Sequence, residues 1–186
     1  MEIKIMALPT REEAETILKS HVTEEYLLLH SHMVAKGMEG YAIKFGEDKM
    51  GNSDLWYITG LLHDIDYQEF PALHPAESVK WFAEWGYPQE LIDAVEAHGM
   101  YEPRVLAKTQ LGKTLIATDE VCGLIYAYSL MRPTGMQGME AKSVVKKFKD
   151  KSFAAKISRE EIQYGVDLMG IDLKEHITNL LSFNIY

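Results

Sequence analysis

The sequence is poor in cysteine: Cys122 is the only one among 186 residues. No intrachain disulfide can form, and zinc sites built from several thiolates are excluded. Positive charge is also short, with 19 Lys and Arg against 28 Asp and Glu and a formal net charge of -9. A general nucleic-acid binder gains affinity by neutralising phosphates, and this balance argues against one. The opening Met1-Glu2-Ile3-Lys4-Ile5 lacks the apolar core of a signal peptide. The mostly apolar stretch 114–131 carries Asp119 and Glu120 in its middle, which reads as a buried helix rather than a membrane span. Together these absences point to the cytoplasm. Strand pairing, internal repeats and low-complexity tracts are missing too. What remains, 47% hydrophobic and 25% charged residues, suits one soluble domain long enough to bury a sizeable core.

Helix signals recur along the whole chain. Thr10-Arg11-Glu12-Glu13 has capping-box spacing and opens a helix to about Ser20. A second runs from near Thr23 to a glycine stop at Gly46, with Leu27, Val34, Met38, Tyr41 and Phe45 on its apolar stripe. Asn52-Ser53-Asp54 caps the helix that delivers Leu61, Leu62, His63 and Asp64. Pro75 and Pro88 start the next two, ending at Gly86 and at His98-Gly99. A long helix is expected from about Arg104 to Leu130, broken by Arg132-Pro133-Thr134-Gly135. Residues 142–159 hold seven basic side chains and one acid, Asp150. Ser158-Arg159-Glu160-Glu161 is another capping-box candidate, Gly170 a stop, and Asp172 caps a last helix. The fold class is all-α.

The chemistry centres on Gly60-Leu61-Leu62-His63-Asp64-Ile65-Asp66. An aspartate at the end of an apolar run needs compensation for its charge, and a divalent cation shared with an imidazole supplies it. Adjacent helical residues point about 100° apart, so further ligands must come from other segments. His74, His98 and Asp119 are available, each at a helix end or on a buried face. Upstream, His30 and His32 compete, because two residues two apart cannot both face one ion. His30 falls beside the Leu27–Val34–Tyr41 column and is the one favoured by periodicity. His21 and His176 read as caps or packing residues, and the basic stretch 142–159 reads either as a solvated face or as a holder of substrate phosphate.

As an ordered set, His30-Ser31-His32-Met33-Val34-Ala35, Gly60-Leu61-Leu62-His63-Asp64 and Ala117-Thr118-Asp119 resemble the HD superfamily of metal-dependent phosphohydrolases. The stretches 61–67, 119–124 and 142–154 are similar to one group within it, the predicted hydrolases. The resemblance implies an HD-like helical bundle with metal near its centre, a core over about residues 24–135 and a helical extension over about 136–186. His30, which stands four residues before Val34, takes the first ligand position. It implies one or two divalent ions (Mn, Fe, Co, Ni, Zn or Mg) held by His30, His63, Asp64 and Asp119, with His74 and His98 serving the second. His63 and Asp64 would then be catalytic, acting on a small phosphorylated substrate whose phosphate Arg132, Lys147, Lys149 or Lys151 would help to hold. One departure stands out: Asp66 occupies a position where the common form of the motif has glycine. The same ligands would serve a mixed-valent di-iron oxygenase, or a signalling module that keeps metal without turnover.

Overall fold

The computed structural model describes residues 8–101 and 103–186; the amino-terminal stretch read above for a signal peptide lies outside them. Nine α-helices and one short 3-10 helix form among the described residues, and no strand does. The fold is an all-α bundle, as expected. In order the helices are α1 (Arg11–His21), α2 (Glu25–Phe45), α3 (Ser53–Leu62), α4 (Ala76–Trp85), α5 (Gln89–His98), α6 (Gln110–Ser129), α7 (Ala141–Lys149), α8 (Arg159–Met169) and α9 (Leu173–Ser182).

Most boundaries follow from capping chemistry. At α1 the Thr10 hydroxyl accepts the Glu13 N–H while the Glu13 carboxylate accepts the Thr10 N–H, which satisfies two otherwise orphaned donors. Gly46, Gly86 and Gly170 each end a helix in the left-handed conformation. Asp172 accepts the N–H groups of Lys174 and Glu175 at the start of α9.

One helix start and two capping arrangements differ from the sequence expectation. Asn52 precedes α3 without a capping bond, since its amide donates to Glu47 instead. α6 begins at Gln110, not near Arg104: the Thr109 hydroxyl caps it by accepting the Gly112 N–H. Upstream, the Arg104 guanidinium pairs with Glu161 of α8 and lies 4.3 Å from the centre of the Tyr164 ring. That anchoring draws residues 104–108 out of helical phase. Ser158 caps α8 by accepting the Glu161 N–H, but Glu161 serves Arg104, so the Ser158 N–H goes to Glu120. Nor is the basic stretch 142–159 continuous. α7 stops at Lys149, and Arg159 donates to the carbonyls of Phe148, Asp150, Phe153, Ala154 and Ile157, gathering the intervening turn around one guanidinium.

α6 is the hub, with α2, α3, α5, α7 and α8 all packed on it. Its length is mostly buried apolar surface interrupted by Asp119 and Glu120. No helix among the described residues is long and apolar enough to cross a membrane. α2 lies along α3, and Gly60 permits the close approach: a Cβ there would fall 2.8 Å from the Ala35 Cα. Leu61 and Leu62 follow, fully buried, and each contributes roughly 2 kcal/mol by leaving water. The end of α3 is therefore pinned against α2 where the chain delivers His63.

Candidate metal centre

Five segments converge on one point. His30 comes from the first half of α2, His63 from the end of α3 and Asp64 from the turn beyond it. His74 precedes α4, His98 is the last residue of α5, and Asp119 lies midway along α6. Their donor atoms fall into two groups sharing one member: His30, His63, Asp64 and Asp119, and Asp64, His74 and His98, each with all donors within 4.8 Å of one another. His30 Nε2 lies 2.9 Å from Asp119 Oδ1 and 3.6 Å from Asp64 Oδ2. His63 Nε2 is 3.4 Å from both Asp64 Oδ1 and Asp119 Oδ1. Asp64 Oδ1 is also 3.2 Å from His74 Nε2 and 3.4 Å from His98 Nε2.

Three of the rings are oriented from behind. His63 Nδ1–H donates to the Gly60 carbonyl at 2.8 Å, and His98 Nδ1–H to the Val95 carbonyl at 2.5 Å. His74 Nδ1–H donates to Asp66 Oδ1 at 2.7 Å, and Asp66 Oδ2 accepts the Ser78 N–H. A carbonyl or carboxylate can only accept, so each Nδ1 carries a proton, and in the neutral ring each Nε2 then presents a lone pair to the cluster. The result is acceptor facing acceptor. His63 Nε2 is buried with no hydrogen-bond partner, and His74 Nε2 stands 3.0 Å from His98 Nε2. Lone pairs held this close call for a proton or a metal cation between them, and imidazole with carboxylate is a suitable set for a divalent metal. The residues fit the group.

Electrostatics agree. Burial works against the charges of Asp64 and Asp119, yet the surrounding imidazoles hold both carboxyls well below the usual range. Burial likewise opposes a charged His63, but the Asp64 and Asp119 carboxylates outweigh it and push the ring up to about 9. A potential that attracts a proton this strongly also attracts a divalent ion, so the two compete. Glu120 differs: burial, then the Asp119 charge, push it up to about 8.

His32 is directed away from the cluster. Its Nδ1 bonds the Leu28 carbonyl at 2.6 Å and its Nε2 bonds Glu15 at 2.9 Å. His21 stacks on Trp81 and pairs with Glu69. His176 is buried between Tyr41 and the Ala117 carbonyl.

A cavity of about 410 Å³ opens onto the donor cluster. Beyond the donors its wall includes Tyr26, Tyr67, Tyr126, Glu120, Lys156 and Ile157. The structure does not bring the four expected phosphate-holding cations to this wall. Arg132 bonds the Gln137 carbonyl, Lys147 lies over the Phe153 ring at 4.8 Å, and Lys149 and Lys151 are exposed. Lys156, in the turn held by Arg159, is the member of the basic stretch that reaches the cavity. Sequence reasoning missed Lys156, Asp66 and Glu120. For Asp66 the signal was the carboxylate in place of glycine, and for Glu120 an acid in an apolar helix. Lys156 carried none.

A family model for the HD domain matches residues 27–127, a span that begins before His30 and ends past Asp119. No curated protein and no solved structure matches the chain.

Proposed function

Since the chain belongs to the HD superfamily of metal-dependent phosphohydrolases, we propose that it hydrolyses a phosphate ester of a small molecule or nucleotide. The family suggests metal-dependent hydrolase chemistry, and the His/Asp groups can hold a divalent ion. The observation that carries the finer reading is Asp64, the one member shared by both donor groups, with Oδ2 3.6 Å from His30 and Oδ1 3.2 Å from His74. His30, His63, Asp64 and Asp119 would hold one ion, and Asp64, His74 and His98 a second. Bound there, divalent ions supply an acidified water and offset the charge that develops on a phosphoryl group.

The chain's own residues do the positioning. Gly60, Val95 and Asp66 fix the tautomers of His63, His98 and His74, so the donor set forms with little reorganisation. Ile116 and Ile157 give the cavity wall apolar surface. Lys156 brings a positive charge to that wall, suited to a phosphate oxygen.

Elemental analysis of the purified protein, followed by assay of metal-loaded protein on phosphomonoesters and phosphodiesters, tests the proposal. Turnover that Asp64→Ala lowers by more than about 100-fold is the expected result. Inert metal-loaded protein across the panel would refute it. Visible absorption with oxygen consumption in place of phosphate release would favour the di-iron oxygenase.

A further inference from the structure

The cavity extends past the donor cluster along α6, and three features there take no part in metal ligation. Glu120, one residue after Asp119, lines the cavity and takes a single hydrogen bond, from the Ser158 N–H to Oε2 at 3.3 Å. Its other oxygen has no partner among the described residues. Gly123, one turn further, also lines the cavity. Glycine inside a helix is less stable than alanine and is usually there because a neighbour comes too close. Here nothing does: an added Cβ would meet Ile157 Cδ1 at 3.5 Å, an ordinary contact. The bare backbone leaves room for an added carbon against Ile157, on the cavity wall that Glu120 also lines. Third, the turn carrying Lys156 and Ile157 against this wall is gathered by five Arg159 hydrogen bonds, so that side of the recess is built rather than loose.

We infer that this recess, formed by Glu120, Gly123 and Ile157, receives the organic part of the phosphorylated substrate and selects one bearing a hydrogen-bond donor, a hydroxyl or an ammonium. The inference rests on the phosphate-binding reading proposed above. With phosphate at the donor cluster, the attached group runs along α6. A purely apolar group would cover the free Glu120 oxygen and leave it unpaired, which is costly in a half-buried wall. A hydroxyl satisfies that oxygen whether the carboxyl is ionised or holds its proton, and an ammonium does so once cations at the donor cluster offset the Asp119 charge. Gly123 gives such a group room, and Ile157 packs on its carbon chain.

Binding of alkylphosphonates, which resist hydrolysis, to the manganese-loaded full chain tests this by calorimetry without any turnover. The ligands end in methyl, hydroxyl or ammonium and have two chain lengths. The donor-bearing ligands should bind about tenfold tighter or better than their methyl-ended partners at one length at least. Preference for ammonium alone would identify a charged amine, and equal preference a hydroxyl-bearing group. Glu120→Gln should collapse the ammonium-to-methyl ratio, with manganese content measured on the same sample. Gly123→Val should weaken the longer donor-bearing ligand more than the shorter. Equal dissociation constants for all three end groups in the wild type overturn the inference while leaving phosphate binding intact. No binding of any phosphonate overturns the phosphate-binding reading and this inference with it.

Discussion

Replacing Asp66 with asparagine should separate the two halves of the donor cluster. Asp66 is fully buried, and both of its partners are donors: His74 Nδ1–H at 2.7 Å and the Ser78 N–H at 3.0 Å. A carboxylate accepts both, whereas an amide has one oxygen and one NH2. If the amide nitrogen turns to Ser78, a buried backbone N–H loses its acceptor, at a cost of about 1–3 kcal/mol in stability. If it turns to His74, the ring must accept at Nδ1 and carry its proton on Nε2, the atom that faces Asp64. That removes the ligand lone pair. Loss of such an outer contact typically lowers metal affinity about 10–100-fold, or roughly 1.4–2.7 kcal/mol. The group of His30, His63 and Asp119 is untouched, so the effect should fall on the second ion. Manganese titration followed by calorimetry, with urea unfolding of the metal-free proteins, reads both quantities. Asp66→Gly, which installs the residue common at this position in the family motif, orphans both donors and should cost more than asparagine. Two unchanged binding steps together with unchanged unfolding would refute the role assigned to Asp66.

Alanine at His30 should empty the first metal position, while His32→Ala should leave metal content unchanged and loosen only the α1–α2 contact through Glu15; elemental analysis of both variants distinguishes them. The triple change Lys147→Ala, Lys149→Ala, Lys151→Ala should leave the Michaelis constant for a phosphorylated substrate unaltered, whereas Lys156→Ala should raise it several-fold, about the loss of one charged hydrogen bond. His176 supplies a pH test. Its Nδ1 accepts the Tyr41 O–H and its Nε2–H donates to Ala117, a pattern only neutral imidazole satisfies, and burial pushes its pKa down to about 4. The unfolded chain protonates near 6.5 while the folded chain refuses the proton until about 4, so stability complete above pH 6.5 is lost as pH falls toward 4. The loss amounts to roughly 3 kcal/mol. Urea unfolding of chelator-treated wild type and His176→Gln from pH 7.5 to 4 should show the difference between them shrinking by that amount, and a constant difference would count against it.

Much of the helical scaffold is written locally. The Thr10 capping box, the stops at Gly46, Gly86 and Gly170, and the Asp172 cap all act through partners within four residues or through one residue's own backbone, so they survive being read in isolation. The departures involve long-range partners: α6 starts late where Arg104 pairs with Glu161, and the α8 capping box is incomplete where the Ser158 N–H goes to Glu120. The site divides in the same way. Residue type and helix position made His63, Asp64, His74, His98 and Asp119 candidates, and it was their order, resembling the HD motifs, that gathered them into one set.

Tertiary structure decided the geometry. Helix phase leaned toward His30, but its contact with Asp119 spans 89 residues of sequence, and His32 is turned away by Glu15 on another helix. Asp66 looked like a departure from a motif until folding set His74 and Ser78 against its two oxygens. Among the lysines of the basic stretch, charge was equal and sequence could not rank them. Lys156 reaches the cavity because Arg159 curls the turn that carries it, a set of bonds between one side chain and distant carbonyls that no periodicity encodes. Composition and local capping determine which groups are available and on which helices. The direction in which each group points is settled only when helices pack, since one degree of helix rotation depends on every neighbour at once.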